Sequence, residues 1–217
     1  MSTEWFLSFD PATKTFAFVL VEINMDLFRE SDFTKKVANL KNITDISAKI
    51  AEIKEINAQL KTMITIHDGE TVDLAPGIKN DDLSPIERVK AITKYVKARI
   101  LPILTVTPTI LVEFQMGPNV KSSIISHVLF TIFAEYKIIE VYPFLKNKVH
   151  FSPKSHYSVF SKKYANQYTA NKNHTIACLR DANEIFTCKI KDTSSHVADS
   201  FAQIIGYLVN LHQLASL

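Results

Sequence analysis

Apolar and polar positions recur along this chain with two different periods, and the switches between them mark out its elements. Residues 4–10 (EWFLSFD) and 14–24 (KTFAFVLVEIN) are rich in Phe, Val and Leu and are joined by the short turn PATK. This predicts two antiparallel strands, with Asp10 at the end of the first. From 43 to 63 the period lengthens: Ile43, Ile46, Ile50, Ile53, Ile56, Leu60 and Met63 fall at steps of three and four with charged residues between them. That stripe predicts an amphipathic helix, short for a free coiled coil and therefore expected to pack on its parent domain.

A third strand fits GETVDLAP (69–76). Ser84, Pro85 and Glu87 then supply an N-cap, a first helical position and a capping-box partner for a helix over about 85–101. ILTVTPTILVEF returns to strand and ends on Glu113. A helix over 119–135, a strand over 137–143, helical character in 160–183 and a strong amphipathic helix over 196–214 complete the reading. No repeat, low-complexity tract or linker divides the chain. The pattern predicts one α/β domain, 1–217, with a helical insertion at 25–66 between the second and third strands.

Composition adds limits. At 217 residues and 47% hydrophobic the chain can bury a good-sized core. The start, MSTEWFLSFD, has no basic and apolar leader pattern, and no window approaches 18 uninterrupted apolar residues, so neither secretion nor membrane insertion is expected. Cys178 and Cys188 form no CxxC, which fits reduced thiols of a soluble intracellular protein. The net charge of +3 is unevenly spread: residues 137–191 hold ten Lys or Arg (137, 146, 148, 154, 162, 163, 172, 180, 189, 191) against acids at 140, 181 and 184. Tyr142, Phe144, Tyr157, Phe160, Tyr164 and Tyr168 are interleaved with them. Such a stretch suits a phosphate backbone with exposed bases, and it equally suits a solvated surface over ordinary core aromatics.

The carboxylates carry the candidate chemistry. A strand built for burial that ends on Glu113 needs a partner, a metal or an exit to solvent for that acid, because a buried unpaired carboxylate is costly. If strands 4–10 and 109–113 are parallel neighbours, Asp10 and Glu113 face each other at the end where functional groups of open α/β sheets gather. Asp199, with His196 three residues earlier on the same helix face, can complete the set. Clustered carboxylates call for a cation, and an oxygen-rich set suits Mg²⁺ or Mn²⁺. Plainer roles compete: Asp10 as a turn cap with Pro11, Asp199 as a complement to the helix dipole, His196 as an N-cap or surface residue.

In their order and spacing these segments resemble the RuvC-like Holliday junction resolvases, which have an RNase H-like fold. SFDPATKTFAFVL resembles that family's first hairpin, NDDLSPIERVKAITKYVKARI its helix before the central strand, and ILVEFQMGPNVKSSIISHV that strand with its catalytic Glu. VYPFLKNKV and HVADSFAQIIGYL resemble its Pro- and Lys-bearing strand and its final helix. The likeness covers about 150 residues in pieces. Ala12 stands where the family usually has Gly, and His196 where it carries an Asp or, in some members, a His. The 25–66 insertion is longer than expected for bacterial members.

The resemblance implies a mixed five-stranded sheet, antiparallel in its first three strands and parallel in the rest, flanked by helices. It implies a homodimeric endonuclease that resolves four-way DNA junctions by paired nicks leaving 5′-phosphate ends. Asp10, Glu113, His196 and Asp199 would be the catalytic and metal-binding residues for Mg²⁺, two per site, with Mn²⁺ as a substitute; Asp192 is a weaker stand-in for His196. Phe114 and Met116 would wedge between bases, and Lys121, Lys146, Lys148, Lys154, Lys162 and Lys163 would contact DNA. The helix over 119–135, carrying Ile124, Ile125, Val128, Leu129 and Ile132, is the candidate dimer face or else a cover for the sheet. Low glycine and abundant Lys, Ile and Asn suggest an AT-rich genome such as a viral one, so a viral replication compartment or nucleoid fits. The competing functions are cleavage of flaps, other branched DNA or RNA/DNA hybrids, and non-catalytic junction binding.

Overall fold

The computed structural model describes residues 2–12, 14–115, 120–143, 190 and 194–215. Strand β1 (Thr3–Pro11) turns back into β2 (Thr15–Asn24) as an antiparallel hairpin, with Phe9 opposite Phe18. Three helices follow β2: α1 (Met25–Glu30), α2 (Phe33–Asn39) and α3 (Ile46–Met63). Asp45 caps α3 by accepting the Ala48 N–H at 2.7 Å. The next strand, β3 (Ile64–Asp73), begins directly at the end of α3 rather than at residue 69. Ile64 and Ile66 alternate with Thr65 and His67 and pair with Ile23 and Val21, so the tail of the apolar run belongs to the sheet.

Helix α4 (Pro85–Tyr95) starts with the expected capping box: Glu87 accepts the Ser84 N–H at 2.8 Å, and Ser84 Oγ accepts the Glu87 N–H. It does not stay α-helical to 101. Residues Val96–Ile100 form a π turn and Leu101–Ile103 a 3₁₀ turn. The strand β4 is confined to Thr109–Glu113. Pro102 and Pro108, which have no N–H to give to a ladder, keep the intervening stretch out of the sheet. Helix α5 (Val120–Ile132) and strand β5 (Ile138–Val141) follow, and α6 (Ser195–Ala215) comes last.

The sheet order is β3-β2-β1-β4-β5. β1 is parallel to β4, and β4 to β5, while β2 lies between β1 and β3 and is antiparallel to both. This is the mixed five-stranded sheet flanked by helices that the family resemblance implies. Because side chains alternate along a strand, each face of the sheet has its own core. Leu7, Phe9, Phe16, Phe18, Ile110 and Val112 face α4 and α5, meeting Ile92, Ile125, Leu129 and Phe133. Phe6, Ala17, Val19, Val21 and Leu111 face α6, which is buried along most of its length, and α1–α3 supply Phe28, Phe33, Ile53 and Ile56 to the same cluster.

Two local features tie this frame together. Gly69 sits where an added Cβ would lie 3.1 Å from both the Phe18 carbonyl oxygen and Ile190 Cδ1, so close packing on β2 favours glycine there. Arg88, fully buried in α4, reaches the side-chain and backbone oxygens of Asn80 and anchors the segment before the helix.

Candidate active site

The parallel register pairs Phe9 with Val112, so the next residues, Asp10 and Glu113, lie side by side at the C-terminal ends of adjacent strands. The alternation that turns Phe9 and Val112 toward α4 and α5 turns Asp10 and Glu113 toward α6. Both are nearly buried, at 6% and 8% exposure, and Asp199 is at 3%.

Helix α6 runs across these strand ends antiparallel to β1. His196 meets Asp10, Gln203 meets Ser8, and Tyr207 lies against Phe6 with ring centroids 6.1 Å apart. Residues 196, 199 and 203 recur at helical spacing on one side, a polar stripe along a helix that otherwise buries Val197, Phe201, Ile204 and Leu208. The start of α6 is capped by Ser194, whose Oγ accepts the Val197 N–H at 3.3 Å and contacts Thr71 Oγ1 at 2.5 Å. His196 is therefore not the cap: its imidazole Nδ1 lies 2.6 Å from Asp10 Oδ2.

An ionised carboxylate only accepts hydrogen bonds, so Nδ1 of His196 carries the proton in this contact. In the neutral ring, Nε2 then holds the lone pair and is available as a metal ligand or proton acceptor. Glu113 accepts from Gln203 Nε2 at 3.0 Å, and Gln203 Oε1 accepts from Ser8 Oγ at 3.0 Å. The backbone beside Asp10 accommodates Ala12: its N–H donates to the Asp10 carbonyl at 3.0 Å, and no described residue other than glycine has positive φ.

Three carboxylates and an imidazole at one end of the sheet have the chemistry of a site for a hard divalent cation. Among the described residues, however, no three His, Cys, Asp or Glu side chains converge on one metal position. Asp10 is in contact with His196, and Glu113 with Gln203. The donor types fit Mg²⁺, and the side chains stand in hydrogen bonds to one another.

The remaining candidates fall at the rim or beyond it. Phe114 continues the β4–β5 ladder through its N–H to the Val141 carbonyl at 2.8 Å, and its ring lies 5.1 Å from that of the exposed Tyr142. Lys121, in the first turn of α5, pairs with Asp81 at 2.5 Å, which holds the Asp81 carboxyl below its usual range. Met116, Lys146, Lys148, Lys154, Lys162, Lys163 and Asp192 lie outside the described residues, as does most of the basic segment 137–191. Sequence reading missed Ser8 and Gln203. The available signal was that both are polar in otherwise apolar elements, Ser8 two residues before Asp10 and Gln203 four after Asp199.

Sheet order, mixed strand directions and a buried helix laid over the ends of β1 and β4 define an RNase H-like α/β fold of the RuvC type. Among solved structures, the chain is similar to a Thermus thermophilus RuvC structure, with a TM-score of 0.52, 13% identity and 96% of each chain covered. It is also matched to T. thermophilus RuvC in complex with a Holliday junction substrate, at a TM-score of 0.48, 9% identity and 96% coverage of each chain. No protein-family model and no curated protein matches the sequence. Among the described residues, no helix is long and apolar enough to cross a membrane.

Proposed function

We propose that this chain is a metal-dependent endonuclease that nicks four-way DNA junctions as a homodimer and leaves 5′-phosphate ends. The observation that carries the reading is the pairing of Asp10 and Glu113 at adjacent parallel strand ends, with His196 and Asp199 presented to them by one buried helix on a RuvC-type fold. Asp10, Glu113, His196 and Asp199 would hold Mg²⁺, two ions per site, or Mn²⁺ in its place. When bound, the metal supplies an activated water and stabilises the leaving oxygen in phosphodiester hydrolysis.

The protein's own groups have separable tasks. The Asp10 carboxylate fixes the His196 tautomer and ring plane, so that Nε2 is the atom offered to the reaction. Burial of Asp10, Glu113 and Asp199 keeps bulk water from screening them, which strengthens their hold on a cation. Phe114, whose ring lies against Tyr142 just past the end of β4, would press on bases where a junction opens. Lys121 and the lysines of the basic segment would contact phosphates, and affinity should fall steeply with added salt.

A two-fold substrate calls for a two-fold enzyme. The dimer face we infer is the α4–α5 groove, of about 790 Å³, lined by Val89, Val120, Ile124, Val128 and Ile132 among others. Ile125 and Leu129, on the inner side of α5, are fully buried against the sheet. On this reading the two roles considered for this helix fall to different residues.

The test is incubation of the purified protein with a labelled four-way junction, a linear duplex and an RNA/DNA hybrid, each with Mg²⁺ or a chelator. Symmetric nicking of the junction in Mg²⁺ alone is the expected result. Cleavage of the hybrid in preference would overturn the substrate, and tight junction binding with no cleavage would leave a binding module.

A further inference from the structure

Gln203 is fully buried in the middle of α6, on a helix whose other buried positions are mostly apolar. A buried primary amide is unfavourable unless both its ends are bonded. Here they are, and the partners set its direction. Glu113, when ionised, can only accept, so the Gln203 atom facing Oε2 at 3.0 Å is the NH₂ group. The amide oxygen is then left facing Ser8 Oγ at 3.0 Å, which can donate to it. Ser8 is itself fully buried and lies on β1, on the same strand face as Asp10. A hydroxyl on one active-site strand therefore orients an amide on the helix, and that amide holds a carboxylate oxygen on the other active-site strand.

We infer that Gln203, aligned by Ser8, is a positioning residue that fixes the orientation of the Glu113 carboxylate for metal binding. The proposal rests on the metal-nuclease reading above and extends it to residues that touch neither metal nor DNA. His196 meets Asp10 from the first turn of α6 and Gln203 meets Glu113 two turns on, so one helix contacts both strand-end carboxylates. Outer partners of this kind govern metal affinity because they hold a ligand in its binding rotamer before the metal arrives.

The experiment measures Mn²⁺ binding to the full chain by electron paramagnetic resonance of the free ion, alongside metal-free thermal melting and junction nicking. The variants are Gln203→Met, Ser8→Ala, the double variant, and Ser200→Ala, whose native hydroxyl donates to the His196 carbonyl within the helix. Gln203→Met should weaken Mn²⁺ binding by about 10- to 100-fold. Ser8→Ala should weaken it less, and should add little in the Gln203→Met background, since the two groups act in series. Ser200→Ala should leave affinity unchanged. If Gln203→Met does not fold, Ser8→Ala alone carries the test.

Unchanged Mn²⁺ affinity in Gln203→Met, or an equal loss in Ser200→Ala, would overturn the proposal. So would variants that lower the metal-free melting temperature while binding Mn²⁺ normally, which is the signature of a structural role. Wild-type protein that binds Mn²⁺ but nicks no junction would overturn the junction reading alone, with the affinity comparison still deciding the role of Gln203. Wild-type protein that binds no Mn²⁺ would overturn both.

Discussion

The two faces of the sheet use the same strands for opposite ends. Toward α4 and α5, Phe9 packs on Phe16 and Phe133 with ring centroids 5.4 and 5.6 Å apart, inside a cluster of aromatic and aliphatic side chains. Toward α6, one residue further along the same strand, Asp10 is nearly as buried and faces His196. The same switch separates Val112 from Glu113. Burial on the first face stabilises the fold through area removed from water. On the second it costs desolvation that hydrogen bonds only partly offset. Stability and the proposed chemistry are thus divided by the two-residue period of a strand, and a single step changes which face a residue serves.

The sharpest way to break this division is to cut the first face. Phe9→Ala removes a fully buried ring and should destabilise the protein by about 3–5 kcal/mol, measured by urea unfolding. Nicking per folded molecule should be much less affected, because Asp10 and Glu113 point the other way. If the site is lost at concentrations where the fold persists, the two faces are not separable. A smaller effect is expected at the outer side of α5. Val128→Asp places a charge in the α4–α5 groove and should halve the mass seen by sedimentation while costing about 1 kcal/mol or less in the isolated subunit. An unchanged mass would move the dimer face elsewhere.

The smallest effect tests the frame far from either core. Ser84 holds the Glu87 carboxyl below its ordinary value of 4.5, chiefly through the side-chain hydrogen bond and then through the backbone one. A carboxyl whose folded pKa is depressed contributes stability that is present above its unfolded pKa and is lost as pH falls through the folded one. Ser84→Ala should lower the melting temperature at neutral pH by about 2–4 °C. It should also remove part of the stability that the wild type loses as pH falls below about 4.5. A melting curve whose acid limb is unchanged would show that the capping box is not the source of the shift.

Much of this division was legible in the sequence. The β1–β2 hairpin followed from dense β-branched and aromatic residues around a short turn. The α4 start followed from Ser84, Pro85 and Glu87. Asp10 and Glu113 stood out as acids closing apolar strands, and Asp199 with His196 as acid and base near the start of an apolar helix. The misplacements have physical causes. Ile64 and Ile66 carry on the isoleucine pattern of α3, and periodicity alone does not show that Ile64 already pairs with Ile23. Residues 101–108 are β-prone in composition, but two prolines remove the donors a strand would need. Ser8 and Gln203 escaped because each looks unremarkable alone. Their meaning lies in a contact across 195 residues of chain that no local pattern encodes.

The α6 face is proposed as a metal-dependent nuclease site, and Asp10→Asn removes the carboxylate on which that proposal most depends. The substitution keeps size and replaces the carboxylate that meets His196 with a neutral amide. Single-turnover nicking of a labelled four-way junction in Mg²⁺ would be compared with junction affinity and melting temperature on the same preparations. If the proposal holds, nicking is slowed by about 10³-fold or more, equivalent to roughly 4 kcal/mol of lost transition-state stabilisation, with junction binding and melting temperature close to wild type. Nicking that survives Asp10→Asn at near wild-type rate would contradict it and place the chemistry somewhere other than the ends of β1 and β4.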